Sequence, residues 1–302
     1  MLAPGHRRAW FVLSLACACA CEKRQVASKA NPDASAAPSP AAAASEPPAV
    51  SRAMHAKPGC RALVVTGVAT VDGAPLATSS LLDGAHWVEL AAGASVALRH
   101  TQTTREFKLI GPGHALPCRD GAEQILLADG QLTTSANLGV RPGAEVLIAT
   151  PQGAVHYGDA ALDLESGEKG LSVRVKQGEV WVEPEEGGKP RFKNPLRSGA
   201  EARLPSAHQG AQTLVDACQR AAETAEGSAR RVLSGEGAGG SGPLSLGARA
   251  ATHMRERSKA RTACAVAAAA AYAVRDPANR QSLSASIVHS EALWQSVPRT
   301  AH

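Results

Sequence analysis

The chain has 302 residues, a formal net charge of +5, a hydrophobic fraction of 44% and an aromatic fraction of only 3%. That length has room for two domains, and because much of the apolar content is alanine, any core must rest on Val, Leu and Ile. Basic residues are spread along the chain with few aromatics among them, so the stacking platforms of single-stranded nucleic-acid binders are missing and no nucleic-acid partner is expected.

His6, Arg7 and Arg8 precede a short apolar run from Ala9 to Ala20. A bilayer span needs about 20 apolar residues, so this run fits a secretory signal peptide over residues 1–21 rather than a transmembrane helix. The twin arginines hint at the Tat route, with Sec export the default. The run ends in Cys17, Cys19 and Cys21, and Ser14–Cys21 (SLACACAC) resembles the lipobox of bacterial lipoproteins. Ser14 stands where a leucine is usual for Cys17, and Cys19 and Cys21 follow alanine or cysteine. Lipidation is expected at one of the three; an ordinary signal peptide is the plainer alternative. Several acyl chains on one cysteine would anchor stably where a single chain is marginal. Residues 22–58 are an Ala/Pro/Ser run with too little apolar bulk to fold, and are expected to form a disordered tether.

Residues 59–205 are predicted to form an all-β domain. ALVVTGVATV (62–71) runs into Asp72-Gly73, and the next strands are punctuated by Asp83-Gly84 and Gly93. In Val96–His100, Val96, Leu98 and His100 share one face. REFKLIGPG (105–113) is expected to stop at Gly-Pro-Gly. ILLADG (125–130), EVLIAT (145–150), AVHYGDAALDLE (154–165), LSVRV (171–175) and EVWVE (179–183) continue the series, so residues 144–183 read as four short strands. Strands at this spacing with glycine turns indicate a sandwich, roll or solenoid rather than a doubly wound α/β fold. Gly153, Gly158 and Gly178 are expected at tight turns or positive φ. Trp181, Val173, Val175 and Val182 read as packing residues.

Two phrases carry a family resemblance. LLDGAHWVELAAGASVAL (81–98) is similar to the D-G-x(n)-L-x-x-G-[AS]-x-[VL] signature of the FecR domain. Thr150-Pro151-Gln152-Gly153-Ala154-Val155, Gly158-Asp159 and Val173–Val182 are similar to that family's later strand signatures. The resemblance covers roughly residues 62–185. It implies an extracytoplasmic β domain that passes a signal or holds a partner, without catalysis. Its better-known members keep a cytoplasmic segment that handles a sigma factor, an arm this chain is not expected to have.

After Pro205 the pattern becomes helical, over 211–233, 246–276 and 277–297, with a glycine-rich break at 235–243. This region, 206–302, reads as a helical hairpin or three-helix appendage with a thin core. Leu214, Val215, Cys218, Ala221 and Ala222 line one face of the first helix, and Ile287, Val288, Leu293 and Trp294 supply packing in the third. The run TACAVAAAAAYAV is too alanine-dominated to make membrane insertion the default. Four widely spaced cysteines in an exported chain suggest two disulfides. Cys218 with Cys264 would pin two antiparallel helices, and Cys60 with Cys118 would tie the first strand to the loop expected after Pro117; free buried thiols are the alternative.

The fold class is therefore mainly β with a C-terminal α-helical appendage. There is no G-x-S-x-G, phosphate loop or H-E-x-x-H, and His156 and Asp159 on one strand do not make a dyad. Three histidines, His100, His114 and His156, would have to converge to bind zinc, and exposed strand histidines are the simpler reading. Glu179, Glu183, Glu185 and Glu186 read as a solvated edge that discourages sheet pairing. No catalytic residue, metal or cofactor is assigned. The reading is a non-enzymatic, lipid-anchored envelope protein, periplasmic or on the outer-membrane side, acting as sensor, adaptor or binding module toward another envelope protein or a cell-wall polymer. A signal-transduction regulator of a membrane partner, of the sigma/anti-sigma type, is the alternative, and an enzyme acting on envelope polysaccharide a third.

Overall fold

Among the described residues, thirteen strands and three helices follow one another in two blocks. In this computed structural model the described residues are 59–119, 124–136, 145–184, 194–206, 210–234 and 243–295, with side chains in the last stretch from 247. The signal segment with Cys17, Cys19 and Cys21, the 22–58 tether, Glu185 and Glu186 lie outside them.

The strands are β1 (Cys60–Thr66), β2 (Ala69–Val71), β3 (Ala74–Pro75), β4 (Leu81–Leu82), β5 (Val88–Leu90), β6 (Ser95–His100), β7 (Glu106–Arg119), β8 (Gln124–Thr134), β9 (Val146–Thr150), β10 (Gly153–Gly167), β11 (Gly170–Pro184), β12 (Leu196–Arg197) and β13 (Glu201–Leu204). They form one sheet in the order β12-β11-β10-β9-β8-β7-β5-β2-β3, with β13 also on β11, β6 on β7, β1 on β6 and β4 on β1. Pairings are antiparallel except β8 with β9.

The long strands each serve two neighbourhoods. Residues 106–110 of β7 pair with β6, whereas 113–115 pair with β5. The start of β10 pairs with β9 and its Asp163–Ser166 stretch with β8. The sheet therefore wraps over itself, and alternate residues from nearly every strand meet in one apolar cluster that includes Val96, Leu98, Leu109, Leu132, Ile148, Leu162, Leu164, Val173, Val175 and Val182. Burying each such side chain contributes about 1.5–3 kcal/mol.

Two sequence expectations fail here for physical reasons. Gly111-Pro112-Gly113 does not end a strand, because β7 runs through it and slips register between Ile110 and His114. The proline sits where the ladder is interrupted and no donor is needed. Its flanking glycines let neighbouring backbone close in, since a Cβ would stand 2.3 Å from the Ala91 oxygen at Gly111 and 2.6 Å from the Asp129 oxygen at Gly113. LSVRV and EVWVE are likewise one strand, β11, turned at Gly178, so residues 144–183 hold three strands rather than four.

The helices are α1 (Ala211–Ser234), α2 (Pro243–Tyr272) and α3 (Pro277–Gln295). Proline at the first position of α2 and α3 loses no helical bond, and Asp276 caps α3 by accepting from the Asn279 amide at 3.2 Å. Disulfides join Cys60 to Cys118, with Cα atoms 5.8 Å apart, and Cys218 to Cys264, with an S–S distance of 2.07 Å. The helices lie on the sheet: Leu116, Leu126, Leu147, Ala149 and Ala154 share a second core with Leu214, Val215, Leu283, Ile287 and the alanines of α2. Small side chains on α2 allow the close approach. Ile287 and Trp294 are buried as expected, but Val288 is 64% exposed because it faces away from α1 and α2. No helix among the described residues is long and apolar enough to cross a membrane.

Candidate functional site: a histidine–tryptophan face on β9–β11

Two of the three motif glycines need to be glycine. Gly153 has φ +146° and a Cβ there would meet the Glu183 oxygen at 2.1 Å; Gly178 has φ +86° with the Asp159 oxygen at 2.4 Å. Gly158 has no positive φ, and a Cβ would meet nothing within 4 Å. It lies where β10 slips register between Tyr157 and Ala160, which any residue can do.

The three histidines do not converge. His100 is buried, with Nδ1 3.0 Å from the Thr103 hydroxyl. His114 pairs with Asp129 at 2.7 Å beside Tyr272. His156 stands apart on β10. Among the described residues no group of three His, Cys, Asp or Glu side chains could hold a metal ion.

His156 organises the outer face of β9–β11. Cross-strand register places it opposite Leu147 and Trp181, and places Glu183 opposite Ala154. Its Nδ1 lies 2.6 Å from Glu145 Oε1, and its Nε2 lies 3.5 Å from Glu183 Oε2. The second contact is an ion pair at the long end rather than a hydrogen bond. Burial works to lower the imidazole pKa, but the Glu145 hydrogen bond and the contact with Glu183 outweigh it and raise the pKa to about 9. The same histidine holds the Glu145 and Glu183 carboxyls below the usual range against the opposing effect of burial, and Arg261 on α2 adds to the lowering at Glu145.

Trp181 is 41% exposed while Val180 and Val182 are buried. The packing role expected for it belongs to its two neighbours, since alternation turns it outward onto the face that carries His156. Glu183 is correspondingly a partner of His156, not only a solvated edge charge, and Glu179 pairs with Arg197 at 3.1 Å.

A second concavity of about 630 Å³ lies where the end of α2 meets the sheet, lined in part by Glu89, His114, Asp129, Tyr272, Arg275 and Arg280. Its groups are largely committed to one another. Tyr272 stacks on Trp87 at 3.8 Å between ring centroids, donates to Glu89 at 3.1 Å, and lies under the Arg280 guanidinium at 4.8 Å. Burial and the Glu89 contact push its hydroxyl up to about 12.

The sequence carried a signal for the His156 cluster only in alternation: Glu145, His156 and Glu183 fall on one sheet face once the register of three strands is known. No protein-family model and no curated protein matches the chain. Two crystal structures described as a putative anti-sigma factor from Parabacteroides distasonis ATCC 8503 are similar to it at 14% and 12% identity, with TM-scores of 0.31 and 0.25. Each match covers 43% of this chain and 64% of the other.

Proposed function

We propose that the chain is an exported, lipid-anchored and non-catalytic component of envelope signal transduction, whose β body binds another envelope protein and regulates it. The observation that carries this reading is the face around Trp181: an exposed indole in mid-strand beside a histidine held between two carboxylates. Tryptophan is among the residues enriched at the anchoring positions of protein interfaces. Two disulfides support an oxidising compartment, and the FecR-like glycines at 153 and 178 serve the scaffold. A second reading, binding of a cell-wall polymer, is favoured by the polar concavity around Glu89, Asp129 and Arg280.

A photo-crosslinking residue at position 181, with one at exposed Arg203 as control, tests the proposal in intact cells. The expected result is an adduct with a membrane protein from 181 and none from 203. Wall-fragment adducts alone from 181, or none, would overturn the first reading.

A further inference from the structure

Three tryptophans lie among the described residues, and two of them have a companion. Trp87 stacks on Tyr272, and Trp294 lies under the Arg257 guanidinium at 5.3 Å. Trp181 has neither a ring nor a guanidinium against it among the described residues, and it is exposed. Carboxylates flank it. Glu179 and Glu183 stand two residues before and after it, so alternation sets both on its face, each about 6.6 Å away along β11. His156 lies opposite, with Glu145 beyond it. No Lys or Arg occurs between positions 177 and 188.

The described cations that face this patch are already engaged. Arg197 of β12 pairs with Glu179 at 3.1 Å, and His156 holds Glu145 at 2.6 Å. Arg261 of α2 acts on Glu145 as well. Glu183 is served least: its one ion pair among the described residues is the 3.5 Å contact with His156. Its side chain is 40% exposed and its carboxyl is held below the usual range, so a charged carboxylate meets solvent beside the indole.

We infer that this face takes a lysine or arginine side chain of the partner protein, the cation lying on the Trp181 ring with Glu183 as its counter-charge. The inference deepens the partner-binding reading above and rests on it. A cation is drawn to the face of an aromatic ring, and to indole most strongly. A guanidinium can lie flat on the ring while its edge meets a carboxylate, which suits arginine in particular. Charge selects this occupant over two others. A sugar ring also lies well on an indole, but it leaves the carboxylates without a counter-charge. An acidic partner is repelled, since residues 59–206 hold 17 Asp and Glu against 14 Lys and Arg.

The test uses the full chain with both disulfides closed and Cys17→Ser, Cys19→Ser and Cys21→Ser to remove other thiols. Its probes are the peptide acetyl-Gly-Arg-Gly-Arg-Gly-amide and the same peptide with neutral citrulline in place of arginine. Binding is read by NMR, from the diffusion of the peptide and from the Trp181 indole resonance. The arginine peptide should bind about tenfold more tightly than the citrulline peptide, with the gap closing as salt is raised. It should move the Trp181 resonance and leave those of Trp87 and Trp294 in place. Trp181→Leu and Glu183→Gln should each weaken it by about threefold or more. Glu165→Gln, the same charge change placed opposite Ser172 at the far end of β11, should not. Equal binding of the two peptides, no shift at Trp181, or equal loss from Glu165→Gln and Glu183→Gln would overturn the inference. So would a larger shift from tetramethylammonium, or from an N-acetylglucosamine tetramer, than from the arginine peptide at equal concentration. A protein adduct at 181 with no preference for arginine sinks this inference alone; a preference for arginine without an adduct sinks the partner reading.

Discussion

At Gly178, β11 turns with φ +86°, and the nearest backbone atom to an added Cβ would be the Asp159 oxygen at 2.4 Å. Both a strained dihedral and a collision with a paired strand penalise a side chain there. Gly178→Val should cost about 4 kcal/mol or more and prevent the β body from folding, as read by thermal unfolding. Lys176→Met, two residues away, should change stability by no more than about 0.5 kcal/mol, because its ion pair with Asp163 is exposed. His156 gives a pH signature. Its folded pKa is raised, so its contribution is complete below the unfolded value near 6.5 and is lost as pH rises through about 9. Glu145 and Glu183 have lowered pKa values, so theirs is present above about 4.5 and lost on further acidification. His156→Gln should therefore cost about 2 kcal/mol near neutrality and flatten the fall in stability between pH 6.5 and 9, measured by urea unfolding across pH. Gly153 and Gly178 were legible in the sequence because glycine between alternating strands has a steric meaning. The partners of His156 were not, because Glu145 and Glu183 reach it only through the register of three strands.

Between elements, the tie from Arg119 at the end of β7 to Glu291 in α3 joins parts of the chain that are 172 residues apart. Both side chains are only 12% and 11% exposed. Arg119→Met should cost about 3 kcal/mol by taking the guanidinium from a buried carboxylate, whereas Arg119→Met/Glu291→Leu should recover much of that loss. A chemical-denaturation cycle over the two single variants and the double variant measures it; additive losses would mean that the pair is not coupled. Element boundaries were legible where chemistry marks them, as at Asp276-Pro277 before α3. They were misjudged at Gly-Pro-Gly and at Gly178, where glycine bends a strand instead of ending it. Trp181 shows the same limit, since its exposure depends on which face β11 turns inward.

For the whole molecule, the mainly β class with helices to follow could be read from periodicity, but the seat of the helices on the sheet was not drawn from it. The signal was present. Val146–Ala149 is an unalternating apolar run in a strand buried at every residue, and such a run marks a strand covered on both faces. The cover comes from helices that only a three-dimensional arrangement identifies, and their alanine-rich faces look weak until set against Leu116, Leu126 and Leu147.

That cover has a consequence for biogenesis. Synthesis delivers a chain from its N-terminus, and the strands bearing Leu116, Leu126, Leu147, Ala149 and Ala154 emerge well before the helices at 211–287 that bury them. Both partners of the first disulfide are present once Cys118 has been made, yet the apolar outer stripe of the sheet then waits for the rest of the polypeptide. During that interval the incomplete chain exposes apolar surface of the kind that makes folding intermediates prone to aggregate. A product cut short before residue 211 keeps that liability permanently.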